Sequence, residues 1–192
     1  PVREIARECK KRGIPLLVPK GDAVRPATDG LRQAVFSSLA ARVPEARFLD
    51  LFAGSGAYGL EAISRGAAGG IFIEKNAKAA TCLRHNLAAV CKSLGRGLEQ
   101  LEIRQVDALT APWDANGAVP SLVFIDPPYE LIPELGPRLF ARFDELLAAE
   151  PDALVAFEMP GELSLAPPGW TCVKRLGKGA RQPTVCFFQK SS

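Results

Sequence analysis

The stretch Leu49–Gly59, LDLFAGSGAYG, constrains the fold more than any other part of the chain. A short apolar run passes directly into Gly54, Gly56 and Gly59, and then into LEAIS, which has helical spacing. The run is long enough for a buried strand and too short for a core helix. The glycines permit a tight turn and let backbone approach a ligand closely. Strand, tight turn and helix in that order commit the chain to a crossover, because a parallel neighbour is reached only by a long return path.

The same alternation recurs along the 192 residues. Residues 3–18 read as two short strands around the basic turn Lys10–Gly13, closed by Pro19 and Gly21. RPATD, Arg25–Asp29, leads into a helix predicted from about Gly30 to Ala40, with Leu31, Ala34, Val35 and Leu39 on one face. Arg47–Phe52 is a strand, followed by the glycine loop and a helix to about Arg65. Gly70–Glu74 is the next strand, and Asn76 is a plausible cap for the helix behind it, on which Ala80, Leu83, Leu87, Val90 and Leu94 repeat at helical spacing. LEIRQVD, SLVFID and LVAFE are further strands. Leu131–Ala148 is mostly helical, with a break or kink expected at Pro137. Thr171–Arg175 and Thr184–Phe188 pair around a Gly177–Pro183 turn. This order predicts an α/β fold: a mostly parallel sheet, helices on both faces and an antiparallel edge.

Composition narrows the class. The apolar fraction is 47%, and no run of about eighteen apolar residues offers a membrane span. The opening PVREIARECK lacks the apolar core of a signal peptide. Five cysteines, an odd number without close spacing, fit reduced thiols, and a cytoplasmic location is expected. A zinc site from Cys82, His85 and Cys91 is disfavoured, because their spacing on one helix does not gather them on one side. The lone histidine, His85, reads as a structural or surface residue. Net charge is only +3, but the basic residues collect at the two ends. Lys10, Lys11, Arg12 and Arg32 lie in the first segment, and Lys174, Arg175, Lys178 and Arg181 in the last. Together these could form one phosphate-facing surface, or two ordinary solvated edges.

Carboxylates mark the strand ends. Glu74 is placed to accept from two ribose hydroxyls, and Asp107, beside Ala108, to meet an adenine amino group. Trp113 could wall that side or simply pack a loop. Each acid could also be a plain polar strand end, and the loop alone would serve a dinucleotide equally well. Asp50 tilts the choice: a pyrophosphate would be repelled by its charge, whereas a cationic ligand such as S-adenosylmethionine would not. After SLVFID comes DPPY, Asp126–Tyr129. Asp126, Pro127 and Pro128 form a rigid edge rich in acceptors, suited to a planar amine, and Tyr129 supplies a ring on which a base could stack, its hydroxyl not being needed for that.

These motifs carry a resemblance. RPATDGLRQAVF at Arg25–Phe36, LDLFAGSGAYGLEAISRGA at Leu49–Ala67, IE at Ile73–Glu74 and DPPY at Asp126–Tyr129 resemble the bacterial family that methylates guanine N2 in small-subunit (16S) ribosomal RNA. The resemblance covers nearly the whole chain. It implies a Rossmann-like seven-stranded methyltransferase sheet whose last strand pair is antiparallel. It also implies a basic N-terminal β-hairpin extension over residues 1–24 and a methyltransferase domain over 25–192. Asp50, Phe52, Ala53, Gly54, Ser55 and Gly56 would surround the methionine part of S-adenosylmethionine. Glu74 and Lys75 would lie at its ribose, and Asp107 and Ala108 at its adenine. Arg25, Thr28 and Asp29 would fold over the cofactor, and Asp126, Pro127, Pro128 and Tyr129 would bind the amine, with Asp126 also bordering the cofactor. The product would be S-adenosylhomocysteine, and no metal is required. The expected partner is 16S ribosomal RNA, free or within an assembling small subunit, with the protein a monomer that binds no membrane. Gly30, Gln33 and the turn ECKKRGIPLLVP depart from the family pattern. An amino-methyltransferase acting on adenine N6 or cytosine N4 of DNA or RNA is the alternative, since it uses the same DPPY logic.

Overall fold

The computed structural model of the protein describes residues 3–9, 14–19, 26–113, 118–177 and 179–191. Strands β1 (Arg3–Cys9) and β2 (Ile14–Val18) pair antiparallel as a separate two-stranded sheet. The main sheet has seven strands. In chain order they are β3 (Arg47–Leu51), β4 (Gly69–Ile73), β5 (Leu101–Arg104), β6 (Leu122–Ile125), β7 (Leu154–Pro160), β8 (Trp170–Leu176) and β9 (Pro183–Lys190). Their spatial order is β5-β4-β3-β6-β7-β9-β8. The first five are parallel, and the β9–β8 pair closes the edge antiparallel.

Four helices connect these strands: α1 (Pro26–Ser38), α2 (Ala57–Ser64), α3 (Ala77–Leu94) and α4 (Ile132–Leu146). Strand alternation divides the core into two layers. Phe48, Phe72, Leu122, Phe124, Ala156 and Phe187 face α1, α2 and α3. Leu49, Ile71, Val123, Ile125, Phe157 and Phe188 face α4. Almost every central-strand residue is buried, as a sheet covered on both faces requires. Asp50 and Glu158 share the parity of the first set, so both carboxylates fall on the α1–α3 face.

Several boundaries differ from the sequence expectation. Helix α1 begins at Pro26, earlier than Gly30. Proline has no N–H to lose in a first turn, and Asp29 sits where the helix N-terminus favours negative charge. The helix α4 runs through Pro137 without a break. The bond that its missing N–H would make to Pro133 O is forfeited, but the preceding residue, Gly136, has no Cβ to clash with the proline ring. Strand β5 stops at Arg104, because Asp107 has left the ladder to build a turn: its Oδ1 accepts from Leu109 N at 2.9 Å. Asn76 does cap α3, accepting from Lys78 N and Ala79 N.

The hairpin is tied to the body through Asn86 on α3, which is buried. Its Oδ1 accepts from Leu17 N at 2.7 Å, and its Nδ2 donates to Leu17 O at 2.8 Å and to Ser55 O at 3.0 Å. Among the described residues no helix is long and apolar enough to cross a membrane.

Helix α2 packs on the sheet at Gly59, where there is no room for a side chain. A Cβ there would sit 2.2 Å from Phe72 Cε1 and 2.7 Å from Phe48 Cε2, both in fully packed rings. Gly59→Ala is expected to destabilise the fold by about 1–3 kcal/mol, because neither ring can yield without displacing the core. The shift of the urea midpoint measures it.

Candidate active site

The sheet order reverses between β3 and β6. From β3 the chain proceeds outward to β4 and β5, and from β6 outward to β7. Ligands bind at such a switch point, beyond the carboxyl ends of the strands, because the diverging connections leave a crevice there. The glycine loop follows β3 and DPPY follows β6, so the two strongest motifs border one crevice.

The loop is held from within. Phe52, Gly54 and Gly56 all have positive φ, at 60, 55 and 98 degrees. Phe52 is not a glycine, and its conformation is one a bulky side chain rarely adopts. At Gly54 a Cβ would meet nothing within 4 Å, so the loop presents an open approach there. Four of the loop's amides are already engaged. Ala53 N donates to Ile73 O at 3.0 Å and Gly56 N to Ala53 O at 2.8 Å. Gly54 N donates to Glu74 Oε2 at 2.8 Å, and Gly59 N to Asp50 Oδ2 at 2.9 Å. These bonds fix the shape of the loop.

Asp50 is 2% exposed. Desolvation, with a smaller contribution from the nearby Glu74 charge, outweighs the Gly59 hydrogen bond and pushes its pKa up to about 7. The carboxyl is therefore only partly ionised at neutral pH. The electrostatic case against a pyrophosphate, which assumed a full charge on Asp50, is correspondingly weaker.

Glu74 is oriented by two backbone donors, Gly54 N and Asn76 N, the latter at 2.6 Å to Oε1. Each oxygen keeps capacity for a further donor. Lys75 is exposed, with its Nζ 3.5 Å from Asp107 Oδ2. Ala108 is buried behind Asp107. Arg142 supports this turn from α4, donating to the carbonyls of Ala108, Leu109 and Ala111, with its guanidinium 3.6 Å from the centre of the Trp113 ring. Trp113 itself is buried and donates to Ala108 O, so it packs the turn from behind.

On the other side of the crevice Asp126 and Pro128 are exposed, Pro127 is buried and Tyr129 is half-buried, opening a 3-10 turn. The Tyr129 hydroxyl donates to Glu158 Oε1 at 3.1 Å, and Tyr58 donates to Glu158 Oε2 at 2.8 Å. Neither Tyr58 nor Glu158 stood out as a site residue in the sequence. The signal available was the glutamate ending LVAFE at the carboxyl end of β7, a place equivalent to Glu74 on β4. Asp29 lies half-buried on α1, with Arg32 Nη2 2.9 Å from its Oδ1.

The basic residues are less uniform than their sequence grouping suggests. Lys10, Lys11, Arg12, Arg25 and Lys178 lie outside the described residues, as does the side chain of Thr28. The Arg32 side chain is only 11% exposed and pairs with Asp29. Arg175 donates to Gly161 O and Leu163 O, and Arg181 N donates to Glu162 Oε2. Lys174 is exposed on β8. Cys82 and Cys91 are buried and His85 is exposed, and among the described residues no three potential ligands are placed to hold a metal.

Asp50 makes stability depend on pH. Its folded pKa, about 7, exceeds the ordinary 3.8. Its contribution is fully present below the unfolded value and is lost as pH rises through the folded one. Between about pH 4 and 7 the protein should lose on the order of 4 kcal/mol relative to Asp50→Asn, at 1.36 kcal/mol per pKa unit. Urea denaturation of both proteins across that range is the measurement.

Residues 2–188 match the family described as Conserved hypothetical protein 95. Ribosomal RNA small subunit methyltransferase D of Escherichia coli strain K12 is 40% identical over 119 residues, which are 62% of this chain. That match spans little more than half of the relative, 56% of its length. The protein of the same name from Haemophilus influenzae is 31% identical over 179 residues, 93% of this chain and 89% of the relative. Among solved structures, the Escherichia coli protein yhhF aligns with a TM-score of 0.73 at 29% identity, covering 100% of this chain and 99% of that one. The chain belongs to the Conserved hypothetical protein 95 family, the group of methyltransferases resembling ribosomal RNA small subunit methyltransferase D.

Proposed function

We propose that the protein transfers a methyl group from S-adenosylmethionine to the exocyclic N2 amine of a guanine in small-subunit (16S) ribosomal RNA. The observation that carries this reading is the switch point itself. It sets a glycine loop open at Gly54, with Glu74 held at its side, beside the Asp126–Pro127 acceptor edge. The first suits a nucleoside-bearing ligand, and the second suits an amine. The relatives' names supply the RNA.

The residues present fit the cofactor. Gly54 leaves open space at the loop, Glu74 is held with acceptor capacity to spare, and Asp107 keeps a half-exposed carboxylate beside Lys75. In this reading Glu74 binds the ribose, Asp107 and Ala108 the adenine, and Phe52–Gly56 the methionine part. Arg25, Thr28 and Asp29 cover it. The bound cofactor supplies a methyl group already activated by its sulfonium, so no metal is called for.

The chain's own task is to orient a poor nucleophile. Guanine N2 is weakly nucleophilic because its lone pair is delocalised into the ring. The Asp126 carboxylate and the Pro127 carbonyl accept its two hydrogens, which favours a more tetrahedral nitrogen with its lone pair directed at the methyl. Tyr129 stacks on the base, which must leave its helix or loop to reach the crevice. Once the nitrogen is methylated and cationic, it loses a proton readily, so Asp126 need not deprotonate the amine beforehand.

The test is methylation of small-subunit ribosomal RNA followed by digestion to nucleosides. Methyl on guanine N2 is expected. Methyl on adenine N6 or cytosine N4 would move the protein to the other amino-methyltransferase class, and no transfer would reject the reading. Asp126→Ala should lower the single-turnover rate by about a hundredfold while cofactor affinity stays nearly unchanged, because its contacts strengthen as the nitrogen changes geometry. Glu74→Ala should do the reverse. Loss of its charge-assisted bonds should weaken cofactor binding about tenfold or more in calorimetry, in a protein that still folds.

A further inference from the structure

The chain has two tyrosines, and both donate to the same carboxylate. That carboxylate, Glu158, is 4% exposed on the α1–α3 face of β7. Burying a carboxylate is costly, and an apolar residue of similar size would fill the same volume without that penalty. What it adds is geometry. Tyr58 is fixed in the core, stacked on Phe124 at 5.5 Å between ring centres and tilted against Phe36 at 6.2 Å. Tyr58 therefore anchors Glu158, and Glu158 in turn holds Tyr129, the partly exposed ring at the crevice. Burial first, and then the Glu158 charge, hold the Tyr58 hydroxyl well above its ordinary pKa, and the charge of Asp126 reaches the same hydroxyl. The cluster and the acceptor edge are thus close neighbours.

We propose that Glu158 is a positioning residue for the target base: through the Tyr129 hydroxyl it fixes the plane of the ring on which the base stacks. This rests on the methyl transfer proposed above. It gives the Tyr129 hydroxyl a role that stacking alone does not require. A ring free to rotate would still bind a base, but less often in the orientation that presents the amine to Asp126. The effect belongs in the rate of transfer and not in cofactor affinity.

The experiment compares wild type, Tyr129→Phe, Glu158→Gln and the double variant. Its readouts are single-turnover methylation of small-subunit ribosomal RNA, calorimetry with S-adenosylhomocysteine, and tyrosinate absorbance during alkaline titration. Each single variant should slow transfer about tenfold and leave cofactor affinity within about twofold. The double variant should be no slower than the slower single, because Tyr129→Phe removes a hydroxyl whose effect on transfer runs through Glu158. In a Tyr58→Phe background, where Tyr129 is the one remaining tyrosine, Glu158→Gln should lower the pH at which it ionises, since a neighbouring negative charge has been removed. Wild-type rates in Tyr129→Phe would overturn the proposal. So would single effects that multiply to about a hundredfold in the double variant, or a titration unmoved by Glu158→Gln. If Glu158→Gln fails to fold, Tyr129→Phe decides alone, its ring being only half-buried. If wild type transfers no methyl to RNA, the proposed activity fails instead, and the titration still reports whether the clamp exists.

Discussion

The parallel pairing of β3 with β6 joins segments from distant parts of the chain, and the register of that pairing sets the geometry of the crevice. Leu51 stands opposite Ile125, so the two strands end level. The next residues, Phe52 and Asp126, therefore start their turns side by side. A slip of one residue would exchange the two faces of β6, sending Phe124 toward α4 and Val123 toward α2. Phe124 prevents this, because it fills the space among Phe36, Phe48 and Tyr58. The aromatic cluster under α1 and α2 thus fixes the register, and the register brings the glycine loop to the acceptor edge.

Asp50, Glu74, Asp107, Asp126 and Glu158 gather negative charge toward the carboxyl ends of the parallel strands, and the fold offsets it differently at different carboxylates. Asp50 is partly protonated. Glu74 takes two backbone amides, Asp107 a backbone amide and a lysine, and Glu158 two phenols. Backbone amides orient a carboxylate while leaving it acceptor capacity, so Glu74 remains able to bind hydroxyls. The phenols of Tyr58 and Tyr129 occupy both oxygens of a carboxylate withdrawn from solvent, which suits Glu158 to holding rings in place. The same residue type at the ends of parallel strands therefore serves two different ends, according to burial and donor.

Most of the fold was legible because strand and helix periods differ sharply, and because glycine and proline punctuate the chain at its turns. Glu74 and Asp126 could be read as candidate site residues because each closes an apolar run beside a turn signal, and Asp107 because it follows the next strand. Glu158 closes the apolar run LVAF in the same way, but β7 continues past it into Met159 and Pro160, and the two tyrosines that give it a role come from distant segments. Tyr58 lies within the glycine loop motif, yet its partner is a hundred residues away in the chain, a separation that no local pattern encodes. Pro137 misled for a different reason. Its effect depends on the glycine before it, which the sequence shows, and on how near it lies to the start of α4, which the sequence does not fix. The raised pKa of Asp50 was not legible, because desolvation is a property of the packed state alone.

Asn86 shows how a residue with no motif can join two parts of the architecture. Its side-chain amide engages both backbone groups of Leu17, much as a neighbouring strand would, and so satisfies part of the edge of β2. Its second N–H reaches Ser55 O in the glycine loop. One buried side chain thereby spends both donors and one acceptor on two backbone segments far apart in sequence. Because a buried polar atom left unpaired costs more than the bond it would have made, neither contact can be given up cheaply while the other persists. The hairpin strand and the loop are consequently held by one side chain on α3. The glycine loop takes its shape from three directions at once: Asp50 and Glu74 from the sheet, and Asn86 from the helix above it.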